Sequence, residues 1–181
     1  MPNWCIGAIQ VKGTKENRRK FVDLFLSNDS KVNESKKRYF ARSWILDTEE
    51  EIEKELRKDV SSFDIEVAWS VMSCMIEGYP QEYENCPTIY EVTKELELEV
   101  QIATEECGLC FREFYHIKNG ILIKDDCEDF PEEEYDADEL YKKYCGETTM
   151  PKDYDTWLVE DYTYIRDEWY SDIYNKLTLA L

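Results

Sequence analysis

The chain has one histidine, His116, no P-loop, no GxGxxG turn after a strand, no HExxH pair, and only 22 Lys and Arg against 41 Asp and Glu. Each shortage excludes something. A His-dependent nucleophilic triad would have to use His116, which lies on an expected strand beside a turn with no Gly-flanked nucleophile elsewhere; it reads as an ordinary edge-strand histidine. Without a glycine-rich loop, nucleotide phosphates lack their usual backbone cradle. The scarcity of cations leaves a formal charge of −19, which repels phosphate and makes nucleic acid and anionic membranes poor partners. No apolar run approaches the roughly twenty residues that span a bilayer. The opening MPNWCIGAIQ has neither a basic n-region nor an apolar h-region, so the expected location is cytoplasmic and the seven cysteines, odd in number and irregularly spaced, are expected to be reduced.

What is present is acid and aromatic surface. Residues 1–50 carry ten cations against seven anions, whereas residues 51–100 and 101–150 carry 4 against 13 and 5 against 14. The run Asp125–Glu139, DDCEDFPEEEYDADE, holds ten carboxylates and no cation. With 43% hydrophobic residues, thirteen Tyr, seven Phe and five Trp among 181 residues, the chain can bury a core, so disorder throughout is not expected.

Periodicity places the elements. Trp4 to Lys12 reads as a strand ending at Gly13; Thr14 then caps a helix with Phe21, Leu24 and Phe25 on one side. Arg38 to Leu46 resembles a second strand. Thr48 with Glu51 makes a capping box for a helix that turns Ile52 and Leu56 inward. Phe63, Ile65, Val67 and Trp69 alternate with Asp64, Glu66 and Ala68, the pattern of a half-buried strand. A short helix is expected near Pro87 with Ile89, Tyr90 and Val92, then a strand with Leu96, Leu98, Val100 and Ile102 on one face and glutamates on the other, which fixes its register. Leu109 to Lys118 is strand-like, and Asn119-Gly120 signals a type I′ hairpin into Ile121 to Lys124. Beyond the acid run, Asp138 to Cys145 reads as a short helix, and Tyr162, Ile165, Trp169, Ile173 and Leu177 form the stripe of an amphipathic helix expected to dock on the sheet. The expected class is α+β, with a domain over 1–130 and an acidic, aromatic-rich, mostly helical C-terminal extension over 131–181.

The opening MPNWCIGAIQVKGTKENRRKF, the segment FDIEVAWS, and LELEVQIATEECGLCFREFYHIKNG together resemble the YubB-like family of phage and plasmid proteins. Those proteins begin with Met-Pro-Asn-Trp, a strand, a Gly and an amphipathic helix, and later show a strand ending in Trp and a strand leading into an Asn-Gly turn. The resemblance covers about residues 1–124. After Trp69 the family often has prolines where this chain has Ser70, Val71 and Met72. It implies a ferredoxin-like antiparallel sheet with helices on one face and an origin in a mobile element; it implies no catalytic activity.

Sites for chemistry are few. Cys107-Gly-Leu-Cys110 is the sole CxxC and supplies half of a zinc site, with no second pair to complete it; on an extended strand its two thiols would face opposite ways. Glu105-Glu106 and the acid run could bind a hard cation, though the run lacks the EF-hand pattern. No catalytic residue, metal or cofactor is assigned. The expected function is binding to a basic, nucleic-acid-binding surface of a host protein, in its sharpest form as an anti-CRISPR-like acidic mimic of nucleic acid. Asp125, Asp126, Glu128, Asp129, Glu132, Glu133 and Glu134 would supply charge, and Phe130 and Tyr135 flat anchors. The alternative is an enzyme or small-ligand protein with a pocket between the sheet and the C-terminal region.

Overall fold

The computed structural model describes residues 3–25, 39–77, 86–130 and 162–180. The elements in chain order are β1 (Trp4–Lys12), α1 (Lys15–Phe25), β2 (Ser43–Ile45), α2 (Glu49–Glu55), β3 (Val60–Ala68), a π-type turn (Met72–Ile76), α3 (Ile89–Glu95), β4 (Glu99–Glu106), β5 (Phe111–Lys118), β6 (Ile121–Asp129), α4 (Tyr162–Ser171) and a 3-10 turn (Asp172–Lys176). The strands form one sheet in the order β2-β3-β1-β4-β5-β6, and every neighbouring pair is antiparallel. The chain is therefore an α+β protein.

Local chemistry explains the element boundaries. Thr48 and Thr88 each accept an N–H from the glutamate three residues on, while Glu51 and Glu91 reach back to the cap N–H, so α2 and α3 both start on capping boxes. The second box was not anticipated from the sequence. Asn119 and Gly120 have φ of 48° and 79°, as a type I′ turn requires, and join β5 to β6. Gly7 sits in the middle of β1 because a Cβ there would lie 2.0 Å from the Ala103 carbonyl oxygen of β4, an impossible approach for any larger residue.

The sheet has an inner and an outer face. On the inner face Ile9, Val11, Phe63, Ile65, Val67, Val100, Ile102, Tyr115 and Ile117 pack with Phe21 and Val22 of α1, Ile52 of α2, Cys74 and Met75 of the π-type turn, and Ile89 and Val92 of α3. On the outer face lies a smaller cluster: Ala103 and Phe114 meet Ile173, with Tyr174 and Leu177 beside them. The expected stripe thus docks intramolecularly through Trp169, Ile173 and Leu177. Thr178 and Leu179 donate their N–H groups to Gln101 Oε1, and Ala180 reaches Gln10 Oε1 at 3.3 Å.

Five sequence expectations shift. The strand expected from Leu96 starts at Glu99, because Leu96 ends α3 and Glu97 adopts φ 51°. The strand expected over Arg38 to Leu46 shrinks to Ser43–Ile45, because Ala41 and Arg42 form a turn in which Arg42 adopts φ 48°. Trp69 does not extend β3. It takes φ 63°, a costly conformation for an aromatic residue, held by its N–H on the Asn3 carbonyl (2.8 Å), the Cys5 thiol on its own carbonyl (2.8 Å) and the Arg42 guanidinium 4.6 Å above its ring. Cys107 and Cys110 lie in the turn between β4 and β5, where the Cys110 thiol faces the Cys107 carbonyl at 3.5 Å, and not on an extended strand. Finally, β6 runs past Lys124 to Asp129, so the acid run begins as a strand. The expected helix over Asp138 to Cys145 lies outside the described residues.

Candidate functional site

The acid run enters the structure as the edge of the sheet. β6 pairs only with β5 among the described residues, setting Tyr115 opposite Asp125, Phe114 opposite Asp126, Glu113 opposite Cys127, Arg112 opposite Glu128 and Phe111 opposite Asp129. Because side chains alternate along a strand, the run divides. Asp126 and Glu128 point to the outer face, where Lys176 binds Asp126 and lies 3.8 Å from Glu128, and Arg112 Nε donates to Glu128 at 3.0 Å. The Lys176 bond holds the Asp126 carboxyl below its ordinary range. Asp125 and Asp129 are exposed on the other side, with no ion pair among the described residues.

Arg112 is the hinge of this arrangement. Buried, it stacks 4.1 Å over the Trp169 ring, donates to the Trp169 carbonyl and grips Glu128. Phe130, expected as an exposed anchor, is only 5% exposed and meets Trp169 edge-on at 5.2 Å. Its role is to seat the C-terminal segment, and it is not open to a partner; an aromatic next to a sheet edge is more readily covered by its own chain than left to solvent. Glu132, Glu133, Glu134 and Tyr135 lie outside the described residues.

Two other carboxylates were not singled out for what they do. Glu113 lies on the inner face and is almost wholly buried; its oxygens accept the Val71 N–H at 2.8 Å, the Tyr115 hydroxyl at 3.0 Å and the Met72 N–H at 3.4 Å. Burial raises its pKa against the pull of these donors. Strand parity could have found it, since Glu113 shares a face with Tyr115 and Ile117. Glu106, read as half of a cation-binding pair, is buried and accepts the N–H groups of Gly108 (2.9 Å) and Leu109. It ties down the CxxC turn. Among the described residues no cluster of three His, Cys, Asp or Glu could hold a metal. The lone histidine places Nε2 3.0 Å from Glu99 Oε1, and Lys118 takes the other oxygen at 3.0 Å.

A second feature sits at the opposite end of the outer face. Ile6, Gly7 and Ala8 of β1, Asp64 of β3, Leu46 just after β2, and Tyr174 of the 3-10 turn enclose a groove of about 350 Å³. It lies between the sheet and Tyr174 of the C-terminal segment. Trp4 and Trp44 stack edge-on with centroids 4.7 Å apart on the same face. Burial holds the Tyr174 phenol well above its ordinary value.

Comparison of the chain with known protein families, curated proteins and solved structures finds no match. Among the described residues no helix is long and apolar enough to cross a membrane.

Proposed function

We propose that this chain is a binding protein of a phage or other mobile element, acting in the cytosol by occupying the basic, nucleic-acid-binding surface of a host protein, as an anti-CRISPR-like acidic mimic does. The single observation that carries the reading is the split of the acid run. β6 is held in the sheet and clamped on one side by Arg112 and Lys176, while Asp125 and Asp129 stand exposed on the other without ion-pair partners among the described residues. Charges fixed on a rigid strand lose little conformational freedom on binding and steer a cationic partner from a distance. Glu132, Glu133 and Glu134 continue that charge in the sequence.

The ferredoxin-like reading, and with it the YubB-like resemblance, draws support from the order β2-β3-β1-β4 and from the helices in the β1–β2 and β3–β4 connections. On this reading, α2 is an insertion between β2 and β3, and β5 and β6 extend one edge.

The test is a pull-down from host lysate at low and high salt, using the full chain, an Asp125→Asn/Asp129→Asn variant and a Glu132→Gln/Glu133→Gln/Glu134→Gln variant. A nucleic-acid-binding protein retained at low salt, released at high salt, displaced by its own nucleic acid and held more weakly by both variants supports the proposal. Retention unchanged by salt and by both sets of substitutions leaves the acidity as solvation and ends it.

A further inference from the structure

The outer face is finished at one end and open at the other. The C-terminal segment covers β4 and β5 through Trp169, Ile173 and Leu177 and reaches β1 through Tyr174, whose hydroxyl lies 3.5 Å from the Ile6 carbonyl. No described residue covers the face beyond that point. There Leu46 is 52% exposed, Ile6 43% and Trp4 37%, side by side with the groove, and such a contiguous apolar patch on an otherwise acidic surface is a usual mark of an interaction site.

Charge says what fits it. Asp64 lines the groove with its carboxylate unpaired among the described residues, and no cation lines it. Asp47 sits alongside, accepting the Asp64 N–H at 2.7 Å, and burial raises its pKa. Glu66 stands opposite Trp44 and Glu105 opposite Ile6 in the sheet register. Apolar walls with four carboxylates around them favour a ligand that is apolar and cationic at once, and the faces of Trp4 and Trp44 add to the attraction for a guanidinium or ammonium. The same charges disfavour the chain's own residues 131–161, which hold eleven Asp or Glu against three Lys, and a second copy of a chain at −19.

We infer that this groove is a docking site for a cationic, apolar-anchored segment of a partner protein, with a Leu-sized or aromatic side chain entering between Ile6, Leu46 and Tyr174 and a neighbouring Lys or Arg meeting Asp64. The site is separate from the acidic strand and does not depend on the function proposed for it.

A fluorescein-labelled peptide alternating Leu and Arg, with a Leu–Glu twin as control, tests it by anisotropy against the full chain. The Leu–Arg peptide is expected to bind and its twin not to. Asp64→Asn should weaken binding about fivefold and Leu46→Arg more than about tenfold, whereas Asp125→Asn/Asp129→Asn should leave it within about twofold. Several results would overturn the inference: equal binding of both peptides or of neither, loss of binding in the Asp125/Asp129 variant with retention in Leu46→Arg, protection of Trp4 and Trp44 from the neutral quencher acrylamide in the free monomer, or a dimer in the free protein that Leu46→Arg dissolves. If the lysate experiment fails but Asp64 and Leu46 still control peptide binding, this inference stands alone.

Discussion

The inner and outer faces of the sheet are built by the same strands, yet they are held by different means. The inner face is closed by helices over a continuous apolar cluster in which Phe63, Ile65, Val67, Val100, Ile102 and Ile117 are wholly or almost wholly buried. The outer face is closed only in part, by a short aromatic segment resting on Ala103 and Phe114 and fastened by Arg112, Gln101 and Gln10. The lesson is that the inner face carries the fold while the outer face carries polar fastening and open surface; the groove lies on that open surface, whereas Asp125 and Asp129 stand at the β6 edge on the opposite side.

The sharpest break of this comparison uses one substitution on each face. Phe63→Ala removes a buried ring from the inner cluster and should cost about 3–5 kcal/mol in urea unfolding, enough to endanger folding altogether. Leu46→Ala on the outer face should change stability by less than about 0.5 kcal/mol. Similar losses at the two positions would mean that the outer groove is structural.

A smaller effect is expected where the outer face is closed. Trp169→Ala deletes the ring on which Arg112 and Phe130 both rest. About 3 kcal/mol of destabilisation is expected, and limited proteolysis should then cut within residues 162–180 before the sheet unfolds. A single cooperative transition with no early cleavage would show that the segment and the sheet fold as one unit.

Next is Glu113, the carboxylate under the inner face. Glu113→Ala strands the buried Val71 N–H and the Tyr115 hydroxyl, and should cost about 2 kcal/mol. The wild type also has a signed pH dependence. Its raised folded pKa means that the native state binds the proton more tightly than the unfolded state, so stability falls as pH rises from the ordinary glutamate range to the raised folded value, then levels off. Glu113→Gln should flatten stability over that window, as read by thermal melts at a series of pH values.

These contrasts bear on what the sequence could disclose. Strict alternation made β3 legible at Phe63, Ile65 and Val67, and the same regularity marked Val100 and Ile102 of β4, although it also ran back through Leu96, which ends α3. The Thr48 capping box and the Asn119-Gly120 turn are local devices readable from adjacent residues. Where partners are remote in sequence the pattern misleads. Trp69 continues the alternation of β3, but its conformation is decided by Asn3, Cys5 and Arg42. β6 was hidden inside the acid run because an edge strand with one free side tolerates carboxylates on both faces and so shows no alternation. Phe130 looked free because Trp169, which covers it, lies far along the chain. The groove was not legible: its residues come from β1, β3, the residue after β2 and a turn, and no spacing connects them.

The smallest expected effect tests the outer face at its polar fastening. Glu99 accepts from Lys118 and lies 3.0 Å from His116 Nε2. Partial burial pushes its pKa up, but the bonds from Lys118 and His116 outweigh it, and the carboxyl is held below its ordinary value. The sign is therefore opposite to that of Glu113: the stabilisation is fully present above the ordinary glutamate range and is lost as pH falls through the depressed folded value. Because both partners reach solvent, the contribution at neutral pH is about 0.5 kcal/mol. Glu99→Gln should thus lower the melting point slightly at neutral pH and not at all in strong acid, while Glu113→Gln changes the curve on the other side of the carboxylate range. A melt series in which the two variants shift stability over the same pH window, with the same sign, would show that the two faces of the sheet do not hold their carboxylates by the different means described.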